Sequence, residues 1–317
     1  MRLLFYCTDN FQLMDLSGPA DVFTIANILS EQQLFELVYV SQFGGSVVSN
    51  SGVSIETHSF EELALDKNDT LFIVNGLDSN PDQSQKVDDF IRNAYEKVES
   101  VCSICTGLFV LAKALPNTYF NATTHWRYFD DLKDQHPNIS LDHTAPFVND
   151  GKIWSSAGIS TAIDMSLSLL ENAYGKKIAQ QVAMAMVLPS RRRQNDLQIS
   201  FHLLLQFECS STKWENLLHW IQEHIADDLS IENIADHMAM SPRNFTRHCG
   251  KEFGLTPKKL VEKIRFDTAL SLLQETTFTL SYIATRCGYK REENMKRAFM
   301  KFLDKTPNTV RKELVGV

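Results

Sequence analysis

The stretch that decides the reading is Ser230-Ile231-Glu232-Asn233-Ile234-Ala235-Asp236-His237-Met238-Ala239-Met240-Ser241-Pro242-Arg243-Asn244-Phe245-Thr246-Arg247. Ser230 suits the cap of a short helix, with Asn233 at its third position. Ala239-Met240 makes the turn, and Ser241-Pro242 starts a second helix with serine as cap and proline at its first position. On that helix Phe245 and Cys249 share an inward face, while Arg243 and Arg247 form an i, i+4 pair outside, with Asn244 and Thr246 beside them. A helix, a tight turn and a second helix with cationic, polar side chains outward fit the major groove of a duplex, about 12 Å wide. The amino-terminal side chains of such a helix meet base edges, and its free amides suit a phosphate.

The pattern recurs. Ile234-Ala235 opens a 24-residue stretch closing in Gly254-Leu255-Thr256-Pro257, and Ile283-Ala284 opens a 25-residue stretch closing in Asp304-Lys305-Thr306-Pro307. Ten residues before each closing proline stands an arginine, Arg247 or Arg297; eight before stands Cys249 or Phe299. Self-similarity of this kind marks a repeated structural unit. The second unit reads as a helix over 280–286, a turn at Cys287-Gly288-Tyr289 and a second helix over 291–302. Met295, Phe299 and Phe302 are expected inward, and Lys290, Arg291, Lys296 and Arg297 outward. A long amphipathic helix over 257–273, with Leu260, Ile264 and Leu270 toward the core, joins the units. Held one helical turn of DNA apart, about 34 Å, they would read successive major-groove segments. A single helix-turn-helix pattern is more often a packing corner than a DNA reader, but two copies with matched caps, cores and outward arginines weigh against that.

Working outward, residues 213–317 carry a balance of +3, whereas residues 1–212 carry −11 within a net charge of −8. An acidic front and a mildly basic tail suggest two modules with different partners. A length of 317 residues, 44% hydrophobic and 22% charged, fits two globular domains. It excludes disordered, collagen-like and coiled-coil chains, and no window is long and apolar enough for a membrane helix. The run Met1–Cys7 is too short for a signal peptide and reads as a first strand. Six unevenly spaced cysteines argue against a disulfide framework, so a reduced, cytoplasmic protein is expected. Residues 1–188 alternate strand-like and helix-like stretches: strands over 2–7, 35–41, 70–75 and 100–103; helices opening at Gly18-Pro19 and over 87–95, 106–114, 162–173 and 177–187. This predicts an α/β domain with a mostly parallel sheet. The polar run Pro189-Ser190-Arg191-Arg192-Arg193 then marks a solvated linker over 189–212, ahead of an all-α domain over 213–317 with two helix-turn-helix units.

The front domain offers one chemical constellation. The segment 98–112 reads as strand, Cys105-Thr106-Gly107, then helix, which sets a thiol on a sharp turn at a helix amino terminus. That is the geometry of an exposed nucleophile, which also needs an acid or base nearby. Asp15, after the first strand, and His125, in Thr123-Thr124-His125-Trp126, are the candidates. Gly76, at the end of the strand over 70–75, brings its backbone close to Cys105. Ligands of parallel sheets bind outside the carboxyl ends of the strands, where Asp15, Gly76, Cys105, Thr106 and His125 are expected. Three readings compete: a pocket that senses a small metabolite, a cysteine enzyme using Asp15 and Cys105, and a redox pair Cys102-x-x-Cys105. His125 reads equally well as a satisfied core histidine, and Asp15 also suits a loop-shaping role. Cys7, Cys209, Cys249 and Cys287 read as small buried hydrophobes. No metal-ligand spacing, phosphate loop or dinucleotide fingerprint appears, so no cofactor is expected.

Both halves resemble known families. The tail, through Met240-Ser241-Pro242-Arg243, Gly254-x-Thr256-Pro257, Ile264-Arg265, Cys287-Gly288-Tyr289, Arg297-Ala298-Phe299 and Thr306-Pro307, resembles the AraC/XylS-type DNA-binding domain. The front, through Asp15-Leu16-x-Gly18-Pro19, Cys102-x-x-Cys105-Thr106-Gly107, Thr124-His125-Trp126 and Ser156-Ala157-Gly158-Ile159, resembles the ThiJ/PfpI superfamily with its class I glutamine amidotransferase-like fold, a flavodoxin-like parallel sheet. Together they resemble the GlxA-like subgroup of AraC regulators. The resemblance implies a transcriptional regulator that binds double-stranded DNA, senses a small-molecule effector in its front domain and forms a homodimer, with no membrane partner. Its enzymatic alternative is a cysteine-dependent hydratase or amidase-like activity. Carried over position by position, Arg243, Thr246 and Arg247, then Glu292, Glu293, Lys296 and Arg297 read bases; Ser241, Asn244, Lys290 and Arg291 complete the expected DNA face. Departures are Cys249-Gly250 where the family has Phe and a charged residue, Asp304 for a glycine, and Asn75-Gly76 for two glycines. Glu292 and Glu293 suit cytosine N4 but repel phosphates, which predicts weaker or more selective binding by the second unit.

Overall fold

Alternation along β1 (Arg2–Cys7) builds the front unit: Leu3, Phe5 and Cys7 enter one core and Leu4 and Tyr6 the other. A strand buried on both faces belongs in the middle of a helix-covered parallel sheet. In the computed structural model, whose described residues are 1–79, 83–188, 191–194, 196–199 and 211–315, it sits there. The remaining strands are β2 (Glu36–Ser41), β3 (Gly45–Val48), β4 (Ser54–Ser59), β5 (Thr70–Val74), β6 (Ser100–Ile104), β7 (Phe120–Ala122), β8 (Ile139–Leu141), β9 (Phe147–Asp150) and β10 (Ile153–Ser156). Eight form one sheet in the order β3-β4-β2-β1-β5-β6-β10-β9, while β7 and β8 pair separately. The sheet is parallel from β4 to β10, with Leu3 opposite both Leu37 and Thr70; only the outer strands β3 and β9 run antiparallel.

Helices α1 (Leu13–Ser30), α5 (Ser160–Tyr174) and α6 (Lys176–Ala185) pack together over one core, in which Phe5 stacks on Phe72 at 4.7 Å. Helices α2 (Gln85–Lys97) and α3 (Gly107–Ala114) cover the other; the short α4 (Phe129–Gln135) adds Leu132 to it. One helix start differs from expectation. Helix α1 begins at Leu13, so Pro19 lies inside it rather than in its first turn. Proline there lacks the donor for the Asp15 carbonyl, four residues back. Gly18 packs so tightly on α5 that a Cβ would stand 2.8 Å from Ile163.

The arginine run departs more sharply. Arg192 donates to Asp164 through its backbone amide (2.9 Å) and Nε (2.7 Å) and to Ser160 (2.6 Å), and Arg191 pairs with Glu171 at 2.9 Å. Gln198 accepts from the Trp126 amide and donates to the Thr124 carbonyl, both at 2.9 Å. These residues are therefore not a solvated linker; they are stitched to the front unit, because Asp164 is nearly sealed from water and requires a cationic partner. The chain divides into compact units Met1–Gln198 and Ile199–Val317. Residues 189–190, 195 and 200–210 of the expected linker, Cys209 among them, lie outside the described residues.

The second unit is helical: α7 (Thr212–Glu223), α8 (Ile231–His237), α9 (Pro242–Phe253), α10 (Pro257–Glu275), α11 (Leu280–Arg286), α12 (Glu292–Leu303) and α13 (Pro307–Val315). It has two cores. Trp214, Leu217, Phe245, Cys249 and Ile264 belong to the first, and Phe266, Leu270, Ile283, Met295 and Phe299 to the second. Helix α10 contributes its first half to one and its second half to the other, which makes it the shared spine the pattern predicts.

Candidate functional site

Strand β6 ends at Ile104 and α3 begins at Gly107, so the chain must reverse over two residues. Cys105 does this in the left-handed region, with φ +55°, which is uncommon for a residue other than glycine. Its neighbours hold it there. The Cys105 amide donates to the Ser156 carbonyl at 2.9 Å, and the Thr124 hydroxyl donates to the Cys105 carbonyl at 2.7 Å. The Thr106 hydroxyl donates to the Gly76 carbonyl. Facing the turn is Gly158, at φ +90°, where a Cβ would come within 2.9 Å of Cys105 Sγ and 3.2 Å of Asp15 Oδ1. Asp15 Oδ1 accepts from the Ile159 amide, and its Oδ2 is buried without a hydrogen-bond partner. Asp15, Cys105 and the Gly158-Ile159 backbone thus converge, as the sequence predicts for the first two.

The electrostatics do not favour an ionised thiol. Cys105 is 3% exposed and Asp15 fully buried, so the expected exposed nucleophile is a sealed one. Burial pushes the Cys105 thiol well up, and the neighbouring Asp15 carboxylate pushes it further; the Thr106 amide only partly offsets them. Burial also lifts Asp15 from 3.8 to about 7, against the Ile159 amide and the Cys105 thiol, which favour its charge. His125 caps a short turn instead of meeting the thiol: its Nδ1 accepts from the Arg127 amide at 3.3 Å, and its ring lies against Trp126 and Tyr128. Burial and Arg127 lower its proton affinity. Among the described residues no hydrogen bond joins His125 to Cys105 or Asp15. Cys7, Cys102, Cys105, Cys249 and Cys287 are all free and buried.

Of the expected ligand set, Gly76 alone lines a cavity nearby, while His125 is partly exposed elsewhere. The cavity, of about 610 Å³, opens over the carboxyl ends of β1, β2 and β5, and its lining includes neither Cys105, Asp15, Thr106 nor His125. Gly76 is required by close approach, since a Cβ would run into the Asn10 carbonyl. The departure at Asn75 has a structural use: its amide accepts from the Thr8 hydroxyl at 2.6 Å and donates to the Asp78 carbonyl at 3.0 Å.

In the second unit, Ser230 and Ser241 cap α8 and α9 through the amides of Asn233 and Asn244. Ala239 makes the intervening turn at φ +52°. Ser241, Arg243, Thr246 and Arg247 are exposed on α9, and Asn244 is half-buried, bonded to Arg247 Nη2 at 2.9 Å. Thr246 returns its hydroxyl to the Pro242 carbonyl at 2.8 Å. The second unit repeats the arrangement, with Thr279 capping α11, Gly288 in the turn at φ +72°, and α12 starting after Arg291. Lys290, Arg291, Glu293 and Arg297 are exposed there, and Lys296 pairs with Glu292 at 2.6 Å.

A family model described as the DJ-1/PfpI family matches residues 1–172, more than half of the sequence. The chain belongs to the DJ-1/PfpI family. Behind this domain, a model described as a helix-turn-helix domain matches residues 234–313. The chain is 25% identical over 295 residues to the HTH-type transcriptional regulator CdhR of Pseudomonas aeruginosa, covering 93% of this chain and 87% of that protein. It is 25% identical over 324 aligned positions to the HTH-type transcriptional regulator GlxA of Rhizobium meliloti, covering 98% and 95%. The front unit is similar in fold to an AraC family transcriptional regulator from Pseudomonas putida, with TM-score 0.52, 22% identity and coverage of 58% of this chain and 98% of that one. The DJ-1/PfpI unit is thus followed by an AraC-type helix-turn-helix unit. Among the described residues no helix is long and apolar enough to cross a membrane.

Sequence reasoning missed two structural keys, although both stand in stretches that carry the family resemblance. Gly158 lets the Ile159 amide reach Asp15. Arg265, on the spine helix, donates to the Ile225 and Asp227 carbonyls at 3.1 and 2.8 Å, ahead of the first reader. The same guanidinium lies where a Cβ on Gly288, in the turn of the second reader, would stand 2.7 Å from its Nη2.

Proposed function

We propose that the protein is a sequence-specific DNA-binding transcriptional regulator whose DJ-1/PfpI domain senses a small molecule, and that it works as a homodimer in the cytoplasm. The observation that carries this reading is the pair of second helices, the first capped by Ser241 and the second without a side-chain cap at Arg291, with exposed Arg243, Arg247, Arg291 and Arg297 over buried Phe245 and Phe299. Catalysis has no use for that duplication. The names of the two full-length relatives support the same reading. The front domain supports sensing over turnover: Cys105 and Asp15 both sit where burial favours their neutral forms, and His125 is engaged elsewhere. Effector binding alters DNA binding only insofar as the effector's affinity differs between two arrangements of the protein. A gel-shift series on promoter fragments tests the reading: Arg247→Ala should weaken specific binding by about 1–3 kcal/mol. Binding that is indifferent both to this substitution and to added salt would refute it, because phosphate contacts release counterions.

A further inference from the structure

Residues 191–198 close the front unit, and the helical unit follows from Ile199. Among the described residues this segment adds no side chain to either apolar core of the front unit. It is held by polar contacts, and these gather at two places. Near its start, Asp164 Oδ1 accepts from the Arg192 amide and Oδ2 from Arg192 Nε, while Nη2 donates to Ser160 Oγ. At its end both polar atoms of the Gln198 side chain are engaged. Oε1 accepts from the Trp126 amide and Nε2 donates to the Thr124 carbonyl, each at 2.9 Å, with Thr123 Oγ1 at 3.3 Å from the same nitrogen. Arg192 Nη1 reaches the Gln198 carbonyl at 3.2 Å and so ties the two ends together.

Each grip lies next to the strained junction. Thr124, which Gln198 holds by its carbonyl, donates its own hydroxyl to the Cys105 carbonyl at 2.7 Å. Ser160, which Arg192 holds, follows Ile159, whose amide donates to Asp15. Cys105 and Ile159 are the two residues at positive φ that flank Gly158 in this packed contact. The segment is therefore fastened beside both strained residues and into no apolar core.

We propose that residues 191–198 are a detachable strap whose docking is coupled to the Cys105 junction. The packed junction holds the strap, and a displaced junction frees it just ahead of the helical unit. Polar contacts suit such a device, because on release water replaces them and the net cost is a fraction of their gross strength. A segment held this way opens without unfolding the sheet beneath it. Coupling runs in both directions, so loosening the strap must also loosen the Cys105 turn. The proposal rests on the sensing half of the proposed function, to which it adds the two-state element that a bound effector would bias.

Limited trypsin digestion of the full-length chain tests it. Cleavage after Arg191, Arg192 or Arg193 requires the strap to leave its seat, so its rate follows the open fraction. Gln198→Ala touches none of these arginines and should speed cleavage there about tenfold, since it removes several hydrogen bonds. Thr124→Val removes the hydroxyl that holds the Cys105 carbonyl and keeps the carbonyl that Gln198 holds. It should speed cleavage about fivefold, the effect of one hydrogen bond, and Thr124→Ser should restore the wild-type rate. In the reverse direction, Gln198→Ala should speed N-ethylmaleimide labelling of Cys105 severalfold, located by peptide mass. Cys102, buried in the strand beneath, should be labelled no faster than in the wild type. The proposal is overturned if Gln198→Ala or Thr124→Val is cleaved like the wild type, if Thr124→Ser is cleaved like Thr124→Val, if Cys105 labelling ignores Gln198→Ala, or if Cys102 follows Cys105, which reports general unfolding. Should Thr124→Val fail to fold, the Cys105 labelling decides alone. A parallel gel shift separates the two ideas. DNA binding in a protein whose strap ignores the junction sinks the coupling alone. A coupled strap in a protein that never shifts DNA upholds the coupling and sinks the regulator.

Discussion

Replacing Asp15 by asparagine isolates the charge chemistry beneath the Cys105 turn. Burial raises the Asp15 carboxyl from 3.8 to about 7, and each tenfold in proton affinity is worth about 1.4 kcal/mol, so the folded chain favours the protonated form by about 4 kcal/mol relative to the unfolded one. The direction follows from the raised value. Stability contributed by the held proton is complete below the unfolded carboxyl range, declines as pH rises and is gone above about 7. Asparagine keeps a carbonyl oxygen for the Ile159 amide and never ionises. Its amino group enters where Oδ2 has no partner, a penalty of order 1–3 kcal/mol that does not vary with pH. The variant-minus-wild-type difference therefore removes both that offset and every other titrating group. Between pH 5.5 and 8.5, wild type should lose about 2 kcal/mol that Asp15→Asn does not lose. Pulse proteolysis in urea, reading the front unit as its own fragment, measures this. Parallel pH profiles for the two proteins would refute the assignment of Asp15 as a buried, proton-holding carboxyl.

Three further substitutions probe the helical unit, each read by urea denaturation and gel shift. Gly288→Ala places a Cβ against the Ile225 carbonyl and the Arg265 guanidinium at a backbone φ of +72°. It should destabilise the unit by about 2 kcal/mol or more and weaken DNA binding with it. Asp304→Gly relieves a left-handed C-cap at φ +52° and should stabilise by about 0.5–1 kcal/mol. Gly250→Ala fills an exposed position inside α9 where a Cβ meets nothing within 4 Å, and should stabilise by about 1 kcal/mol. If Asp304→Gly or Gly250→Ala melted below the wild type, or Gly288→Ala melted at or above it, the corresponding backbone argument would fail.

The readers were legible because their signals are local. Ser230 and Ser241 cap their helices as the dipeptides announce, and Pro242 stands at a first helical position. Phe245 and Met295, in register twelve residues before the closing prolines, are both buried. The central strands of the front sheet were legible as well, because burial on both faces leaves continuous apolar runs. Helix α1 was misplaced because its N-cap, Gln12, makes no side-chain capping bond and so leaves no mark, whereas Gly18-Pro19 imitates a start. Strands β3, β9 and β10 have four residues each and, like the polar β4, lie at or near the sheet's edges, where composition says little. The arginine run misled for a different reason. Its partners Asp164 and Glu171 sit on α5, well upstream in the chain, and a charge run shows nothing of the buried carboxylate it answers. The sealing of Cys105 was invisible for the same cause, since Gly158 and Asp15 reach it only through the fold.

The cost of keeping that turn bears on what it is for. Cys105 and Ile159 hold left-handed φ values of +55° and +51°, Ile159 being β-branched, and they meet around Gly158. Residues held this way cost of order 1–3 kcal/mol each and persist only where the surroundings over-determine them. Here the Ser156 carbonyl, the Thr124 hydroxyl, the Asp15 carboxyl and the Thr106–Gly76 contact all do so. A nucleophile would justify the strain by ionising, yet burial and Asp15 drive the thiol the other way. What the arrangement does supply is stiffness next to a cavity. Gly76 is at once wall and hydrogen-bond acceptor for the turn, so a ligand that moves it by a fraction of an ångström must also move the Thr106 hydroxyl. From there it must disturb the packed contact of Cys105, Gly158 and Asp15. A close-packed, strained junction does not absorb such a shift gradually. Such stiffness beside a cavity asks for no reactive sulfur.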